Sequence, residues 1–288
     1  MKSVKNIFIL LLFIATLQQT QAQQEVALEN STLWKVEHAK LEKPSYILGT
    51  LHMMCASDFQ IPEKVNIAMT AIDALVVEIN LSDSSEIQKM QASMTSSKKI
   101  SEELNPSQFE QLDTLVQRIV GMPLVNLDAY GLQVLSSIMI SKMLPCTDIK
   151  LFEAELMQIA KTNSIPIYAF ETIEEQMAIV KEAYPLESSY EQLMLHDSYK
   201  RDFNKAITAY KNEKLTEAVS YLTRPEYMDE NATLLMQVKR NQNWVQQMPK
   251  MMEKGSNLFA VGAAHLTDEF GLIQLLRKEG YTVSPVLN

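Results

Sequence analysis

Glycine, proline and cysteine are all scarce in this chain, whose 288 residues include 7 Gly, 10 Pro and 2 Cys. The low glycine content excludes a collagen or a flexible linker protein, and two cysteines are too few for a disulfide scaffold or a multi-cysteine zinc module. Basic residues are also in the minority, since 26 Lys and Arg face 35 Asp and Glu and the formal net charge is −9. Such a surface repels phosphate backbones, so nucleic acid is not expected as a partner.

The first 22 residues have the pattern of a signal peptide. Lys2 and Lys5 precede an apolar run from Ile7 to Leu17, and Ala22 is a small residue of the kind found at cleavage sites. The run is shorter than the roughly 20 residues needed to cross hydrocarbon. We therefore expect cleavage near Ala22 rather than a retained membrane anchor. The mature protein is predicted to be secreted or periplasmic, with no stable membrane insertion after signal removal.

That compartment permits a disulfide between Cys55 and Cys146. Two buried free thiols are the alternative, because the sequence gives no distance between the two residues.

Strands near both ends of the chain and helices between them determine the predicted fold. Strand patterns cover residues 34–36, 46–48, 74–79, 165–170, 258–261 and 281–286. Helical periodicity covers residues 62–72, 106–120, 130–143, 152–160, 173–180, 192–210 and 268–279. Strands at both ends must share one sheet or stay unburied. We predict a linker at 23–31 and then one α/β domain at 32–288, with a mixed sheet of N- and C-terminal strands and a helical middle section.

Two segments of this chain share the order strand, Gly, two residues, His. They are Gly49-Thr50-Leu51-His52 and Gly262-Ala263-Ala264-His265, whereas chance placement gives about 0.1 G-x-x-H match. Because glycine lets the backbone turn sharply as it leaves the sheet, both imidazoles are expected in the crevice beyond the carboxyl ends of their strands, where ligands bind. The alternative is a pair of ordinary loop histidines. His38 and His196 lack this pattern and are interpreted as structural or exposed.

Glu78 interrupts an otherwise apolar strand between Ala74 and Ile79. Because an uncompensated buried carboxylate is costly, Glu78 is expected at the end of the strand near water or facing a cation. With His52 and His265 it forms a two-His, one-carboxylate set, which binds a divalent metal and leaves coordination positions open for water and substrate. The alternative is an edge-strand residue that faces solvent or an arginine.

On these residues the chain resembles the TraB/GumN/Tiki family, from about Trp34 to the last strand. The family pairs a G-T-x-H segment near its start with a G-A-x-H segment near its end and places a glutamate on an early strand. Two further segments are similar to its L-E-T-x-x-x-Q and R-N patterns: residues 170–176, which include Glu171, and the pair Arg240-Asn241.

The resemblance implies a fold related to the haem-binding ChaN proteins and erythromycin esterases. For the Tiki branch it implies proteolysis that depends on manganese or cobalt, so the expected cofactor is Mn²⁺ or Co²⁺ ahead of Zn²⁺. Arg240 is then expected to hold a substrate carboxylate or a developing oxyanion. Glu171 is the candidate base or an orienting carboxylate. The alternatives are a surface cation for Arg240 and a helix N-terminal charge for Glu171.

The predicted function is an extracytoplasmic metal-dependent hydrolase, with peptidase as its first activity. Its metal ligands are His52, Glu78 and His265, and its substrate is a peptide or a small molecule. The alternative is a binding protein that holds a peptide, a pheromone or a tetrapyrrole in the same pocket without turning it over.

Overall fold

The structure is a computed structural model that describes residues 28–287. The predicted signal peptide and the first part of the predicted linker lie outside the described residues. The strands are β1 (Leu33–Glu37), β2 (Ser45–Thr50), β3 (Met53–Cys55), β4 (Ala74–Val77), β5 (Ile149–Leu151), β6 (Ile167–Ala169), β7 (Asn257–Gly262) and β8 (Thr282–Pro285).

The helices lie mainly between β4 and β7. The α-helices are α1 (Glu63–Ala71), α2 (Ser84–Ser93), α3 (Ile100–Glu103), α4 (Pro106–Val120), α5 (Gly131–Ser141), α6 (Phe152–Thr162), α7 (Ile173–Ala183), α8 (Leu186–Met194), α9 (His196–Lys211), α10 (Leu215–Leu222), α11 (Glu230–Thr233), α12 (Arg240–Met252) and α13 (Leu272–Lys278). The 3₁₀-helices are Leu124–Tyr130 and Ala263–His265, and a π-helix covers Leu234–Lys239.

A six-stranded mixed sheet has the order β6-β4-β7-β2-β1-β8. Strands β6, β4, β7 and β2 are parallel, whereas β1 is antiparallel to both β2 and β8. Strand β7, from the C-terminal part of the chain, lies between β2 and β4. The predicted α/β fold, with one sheet from both ends of the chain and a helical middle, is therefore confirmed.

The predicted helix at 106–120 shows how local sequence fixes an element. The Asn105 side chain and Gln108 form a capping box at its start, and Pro106 takes the first helical position, where no backbone donor is needed. The helix ends at Gly121, whose φ of +85° favours glycine.

The helix predicted for 192–210 is wrong as a single element. The chain breaks at Leu195 into α8 and α9. Leu193 on α8 packs into a core formed by the middle helices, while Phe203 on α9 packs into the larger core around the sheet. The break lets the two helices serve different cores. The helix predicted for 268–279 is also shorter, since it begins at Leu272 after a turn at Asp268 with positive φ.

Within the described residues, one helical stretch, 124–141, is long and apolar enough to cross a membrane by length and composition. Its buried side chains, among them Leu124, Leu132, Leu135 and Met139, belong to the core of the middle helices. About 39% of the stretch is buried, so packing in this core accounts for part of its apolar character.

A second, two-stranded sheet pairs β3 with β5, and the sequence analysis did not predict it. A disulfide joins Cys55 to Cys146 beside this sheet, with the two Cα atoms 5.8 Å apart. The alternative of two free thiols is therefore wrong. The Phe152 N–H donates to the His52 carbonyl at 3.0 Å, so the start of α6 is held against the loop that carries His52.

We predict that the double substitution Cys55→Ala with Cys146→Ala lowers the free energy of unfolding by about 2–5 kcal/mol, because the disulfide closes a long loop in the unfolded chain. Urea unfolding monitored by circular dichroism measures the loss. Reduction of the parent protein should produce a comparable loss and should leave the double variant unchanged. Equal stability of parent and double variant would contradict the prediction.

Candidate functional site

The predicted site residues lie where three neighbouring parallel strands end. His52 follows β2, Glu78 follows β4, and His265 ends the 3₁₀-turn after β7. All three line one cavity of about 460 Å³, which Arg240 and Gly262 also line. The carboxyl edge of a parallel sheet is the usual place for a ligand site in this class of fold. The structure thus brings together both histidines and the glutamate that the sequence singled out.

The glycine of each G-x-x-H segment makes room for the other segment. Strands β2 and β7 pair so that Thr50 lies opposite Gly262. A Cβ atom on Gly262 would lie 2.9 Å from His52 Nε2 and 3.4 Å from Glu78 Oε1, and a Cβ atom on Gly49 would lie 3.3 Å from the Ala263 Cα. A side chain at Gly262 would therefore displace the His52 ring.

Glu78 is buried and faces an arginine, which is one of the alternatives given above. Its Oε2 accepts hydrogen bonds from Arg240 Nη2 at 2.6 Å and from Gln176 Nε2 at 3.2 Å, and its Oε1 accepts from the Gly262 N–H at 2.7 Å. Burial by itself would raise the pKa of Glu78. The charges of Arg240 and His52, together with the hydrogen bond from the Gly262 N–H, outweigh burial and hold the pKa of Glu78 below its ordinary value.

Arg240 is 4% exposed, so it is not a surface cation. Its Nε donates to both Glu171 oxygens, at 3.0 and 3.1 Å, and Nη2 donates to Glu171 Oε2 at 3.0 Å as well as to Glu78. Nη1 donates to the Met236 carbonyl at 3.2 Å and is 3.1 Å from His265 Nε2. All five N–H groups of the guanidinium are thereby engaged. In this arrangement no donor is left for a substrate carboxylate or oxyanion, and Arg240 instead orients the groups around it.

Glu171 acts on the site through Arg240. Besides its three contacts with the guanidinium, it accepts a hydrogen bond from Trp244 Nε1 at 2.9 Å. Its backbone N–H donates to the Glu78 carbonyl at 3.0 Å, which extends the β4–β6 pairing and sets the two carboxylates side by side. Glu171 does not line the cavity. Of its two predicted roles, the geometry fits the orienting carboxylate.

His265 is held as a neutral ring. The Asn241 amide nitrogen donates to the Phe270 carbonyl at 2.8 Å, so its Oδ1, 2.7 Å from His265 Nδ1, accepts the ring proton. The other nitrogen, Nε2, then carries the lone pair that faces Arg240. Burial, followed by the nearby positive charges of Arg240 and His52, lowers the pKa of His265 to about 3 despite the opposing effect of Glu78.

His52 is the side chain of the site that could take up and release a proton. Its Nδ1 lies 2.8 Å from Glu153 Oε1, and the Thr50 hydroxyl hydrogen-bonds to the same oxygen. Attraction to Glu153 raises the pKa of His52 to about 9 against the opposing effect of burial, although water screens this attraction because the side chain is 59% exposed. The other ring nitrogen, Nε2, faces Gly262 and has no hydrogen-bond partner within residues 28–287.

The lone pairs of the predicted metal ligands are already used by Arg240. Its guanidinium takes both His265 Nε2 and Glu78 Oε2, and the part of the chain that the structure describes has no group of three His, Cys, Asp or Glu side chains suited to hold a metal. As arranged, these residues do not fit a divalent ion. Metal binding by His52, Glu78 and His265 stays a prediction, and it requires Arg240 to withdraw from two of the three ligands.

Sequence reasoning did not select three residues that shape the site, namely Glu153, Asn241 and Gln237. Asn241 could have been found, because it is the second member of the R-N pair. Gln237 lies in the π-helix and lines the cavity, and its buried Nε2 has no hydrogen-bond partner among residues 28–287. π-Helical turns often occur at functional sites. Neither Gln237 nor Glu153 carries a recognisable pattern in the sequence.

Comparison with known proteins gives a family match over nearly the whole chain. The sequence model of the TraB/PrgY/gumN family matches residues 32–285. No curated protein and no solved structure matches the chain.

We predict that Glu153→Gln lowers the pKa of His52 from about 9 toward its ordinary value of 6.5, because the neutral amide removes the attraction that favours the imidazolium. The shift is measured by following the histidine Cε1–H signals in an NMR titration. Glu155→Gln is the matched control, since Glu155 lies on the same helix and pairs with Lys150 instead. An unchanged His52 midpoint in Glu153→Gln would contradict the assignment.

We also predict that Arg240→Met lowers the free energy of unfolding at pH 7 by about 3–5 kcal/mol, because buried carboxylates lose their cation. The loss should shrink at pH 4: with Arg240 gone, burial raises the pKa of Glu78, so protonation removes its uncompensated charge at a higher pH than in the parent. Lys239→Met is the control, since Lys239 is exposed and adjacent in sequence. Chemical unfolding of all three proteins at both pH values checks the prediction, and equal losses in the two variants would contradict it.

Proposed function

The chain belongs to the TraB/PrgY/gumN family, and from this premise we propose that it is an extracytoplasmic hydrolase whose first substrate class is peptides. One observation carries the proposal. Two histidines from opposite ends of the chain and Glu78 line a single cavity, in which Glu153 orients His52 Nδ1 and His52 Nε2 lies beside Gly262, which also lines the cavity.

His52 and Glu153 together have the arrangement of a general base and its orienting carboxylate. The Glu153 carboxylate accepts the Nδ1 proton, so Nε2 holds the lone pair in the neutral ring. Because the pKa of His52 is raised to about 9, the neutral ring is the minor form at pH 7, and cleavage is expected to become faster as the pH rises toward 9. We propose that Nε2 takes a proton from water while the water oxygen bonds to the substrate carbonyl carbon. The carbon–nitrogen bond then breaks, and the departing amine takes the same proton from Nε2.

A developing oxyanion needs donors that are not already engaged, and Arg240 has none left in this arrangement. Gln237 supplies one, since its Nε2 is buried beside the same cavity without a described partner. We propose that this amide N–H binds the substrate carbonyl oxygen and strengthens its hydrogen bond as negative charge develops there.

The rest of the cavity wall favours an apolar group on the substrate. Leu81, Leu151, Met157, Val219 and Met236 are among the lining residues, and most of the surface that they present is apolar. A peptide with a large apolar side chain next to the scissile bond would bury that side chain here, which contributes binding energy without further hydrogen bonds.

The test is cleavage of peptide libraries rich in apolar residues by purified protein that starts after Ala22. We expect His52→Gln to lower kcat about 10²–10⁴-fold, since the general base is lost, and Gln237→Ala to lower it about 10²–10³-fold, since an oxyanion donor is lost. His38→Gln is the control histidine variant, because His38 does not line the cavity. Absence of cleavage by folded protein under every metal condition, or cleavage unaffected by His52→Gln, would contradict the proposal.

The same assay tests the predicted cofactor. Loss of activity with a chelator and recovery with Mn²⁺ or Co²⁺ would confirm metal dependence, whereas full activity in chelator would contradict it. Saturable peptide binding without any product would favour the alternative of a binding protein.

A further inference from the structure

A second cavity lies within the helical middle of the protein, away from His52. It has a volume of about 280 Å³ and is lined by residues of α5, α7, α8 and α9 and of the segment that follows α10. Leu222 and Met228 line both this cavity and the catalytic one, so the two adjoin without sharing any of the site residues described above.

The lining of this helical cavity combines apolar and aromatic side chains with neutral serine and glutamine side chains. Met139, Met143, Tyr184 and Tyr199 contribute to it, and among the described lining residues there is no Asp, Glu, Lys or Arg. Burial raises the pKa of Tyr184 and of Tyr199 to about 12, so both phenols are neutral at physiological pH. A wall of this kind disfavours a charged ligand and favours a neutral one.

His196 lines the helical cavity and has one unmet hydrogen-bonding position. The residue is 3% exposed, and its Nε2 has no hydrogen-bond partner in the described part of the chain. Its Nδ1 lies 3.2 Å from Asp197 Oδ1, and Arg118 Nη2 donates to Asp197 Oδ2 at 2.9 Å.

Hydrogen bonds from Arg118 and His196 hold the pKa of Asp197 below its ordinary value, so this carboxylate can only accept. A neutral His196 ring therefore places its proton on Nδ1 and its lone pair on Nε2. Leaving such a buried acceptor without a donor is unfavourable.

We propose that the helical cavity is a second ligand site, which binds a small neutral apolar molecule whose hydroxyl group donates a hydrogen bond to His196 Nε2. The size is adequate, because an apolar cavity of about 150 Å³ already holds benzene. One ring with a hydroxyl group would fit in the space with room to spare, pack against the methionine and tyrosine side chains, and satisfy the imidazole nitrogen.

The probes that test this site are p-cresol and toluene, which differ by a single hydroxyl group. Titrations are followed by NMR of ¹³C-labelled methionine methyl groups, because Met139, Met143 and Met228 line the cavity. We expect p-cresol to shift these three signals and to bind about tenfold more tightly than toluene, and we expect His196→Phe to reduce that ratio to about one.

A second pair of variants tests the cavity independently of the imidazole. Val180 lines the cavity and the exposed Lys181 does not, so Val180→Trp should weaken both probes and Lys181→Trp should leave both unchanged. The proposal is overturned if neither probe saturates these signals, if the p-cresol preference survives His196→Phe, or if Val180→Trp has no effect. His196, Val180, Met139 and Met143 do not line the catalytic cavity, so their response is independent of the proposed hydrolase activity, whereas a shift of Met228 alone, which lines both cavities, would not support the proposal.

Discussion

The architecture of the site depends on one buried guanidinium. Arg240 lies among Glu78, Glu171 and His265, none of which is more than 8% exposed. Each carboxylate on its own would be strongly unfavourable at this depth, and Arg240 makes both tolerable by contacting them within 3.1 Å. The aromatic ring of Trp244 lies 4.6 Å from the guanidinium carbon and donates to Glu171, so the cation and its partner are fixed together. Because these groups follow β4, β6 and β7, the same ion cluster also fixes how the carboxyl ends of these strands meet.

Much of this could be predicted from the sequence, because parallel strands place their carboxyl ends at one edge of a sheet. That rule brings His52 and His265 together, and the cost of burying a lone carboxylate predicts that Glu78 faces a cation. The identity of the cation could not be derived in the same way. Arg240 reaches Glu78 from a helix 162 positions further along the chain, and helix packing of this kind leaves no periodic signal. Glu153 is equally hidden, since an acidic residue in the first turn of a helix is ordinary in any sequence. The helix break at Leu195 could not be predicted for a related reason. The helical period of apolar residues continues across Leu195, although α8 and α9 pack into different cores.

The net charge of this cluster determines how a divalent cation would compete with protonation of His52. Glu78 and Glu171 are paired with one guanidinium, and His265 is neutral because its pKa lies near 3. One negative charge in excess therefore remains, and the raised pKa of His52 is in part a response to it, since Glu78 adds to the larger effect of Glu153. A divalent ion and an imidazolium at His52 would thus compete for the same excess charge. The ion would also have to displace Arg240 from the lone pairs of two ligands, whereas protonation of His52 requires no rearrangement.

The roles proposed for the side chains around the cavity depend on which hydrogen-bond donors are already engaged within the protein. Arg240 has no unengaged donor because its five N–H groups bond to Glu78, Glu171, His265 and the Met236 carbonyl, which is why the proposed contact with a substrate oxygen is assigned to a neutral amide. The π-helical turn at Leu234–Lys239 lies directly before Arg240, and it sets Gln237 beside the cavity while the Met236 carbonyl accepts a hydrogen bond from Arg240 Nη1. A regular α-helix would shift the residues before Arg240 by one position relative to its backbone partners. The widened turn therefore explains how one short segment can anchor the ion cluster and still place beside the cavity Gln237, whose Nε2 has no hydrogen-bond partner among the described residues.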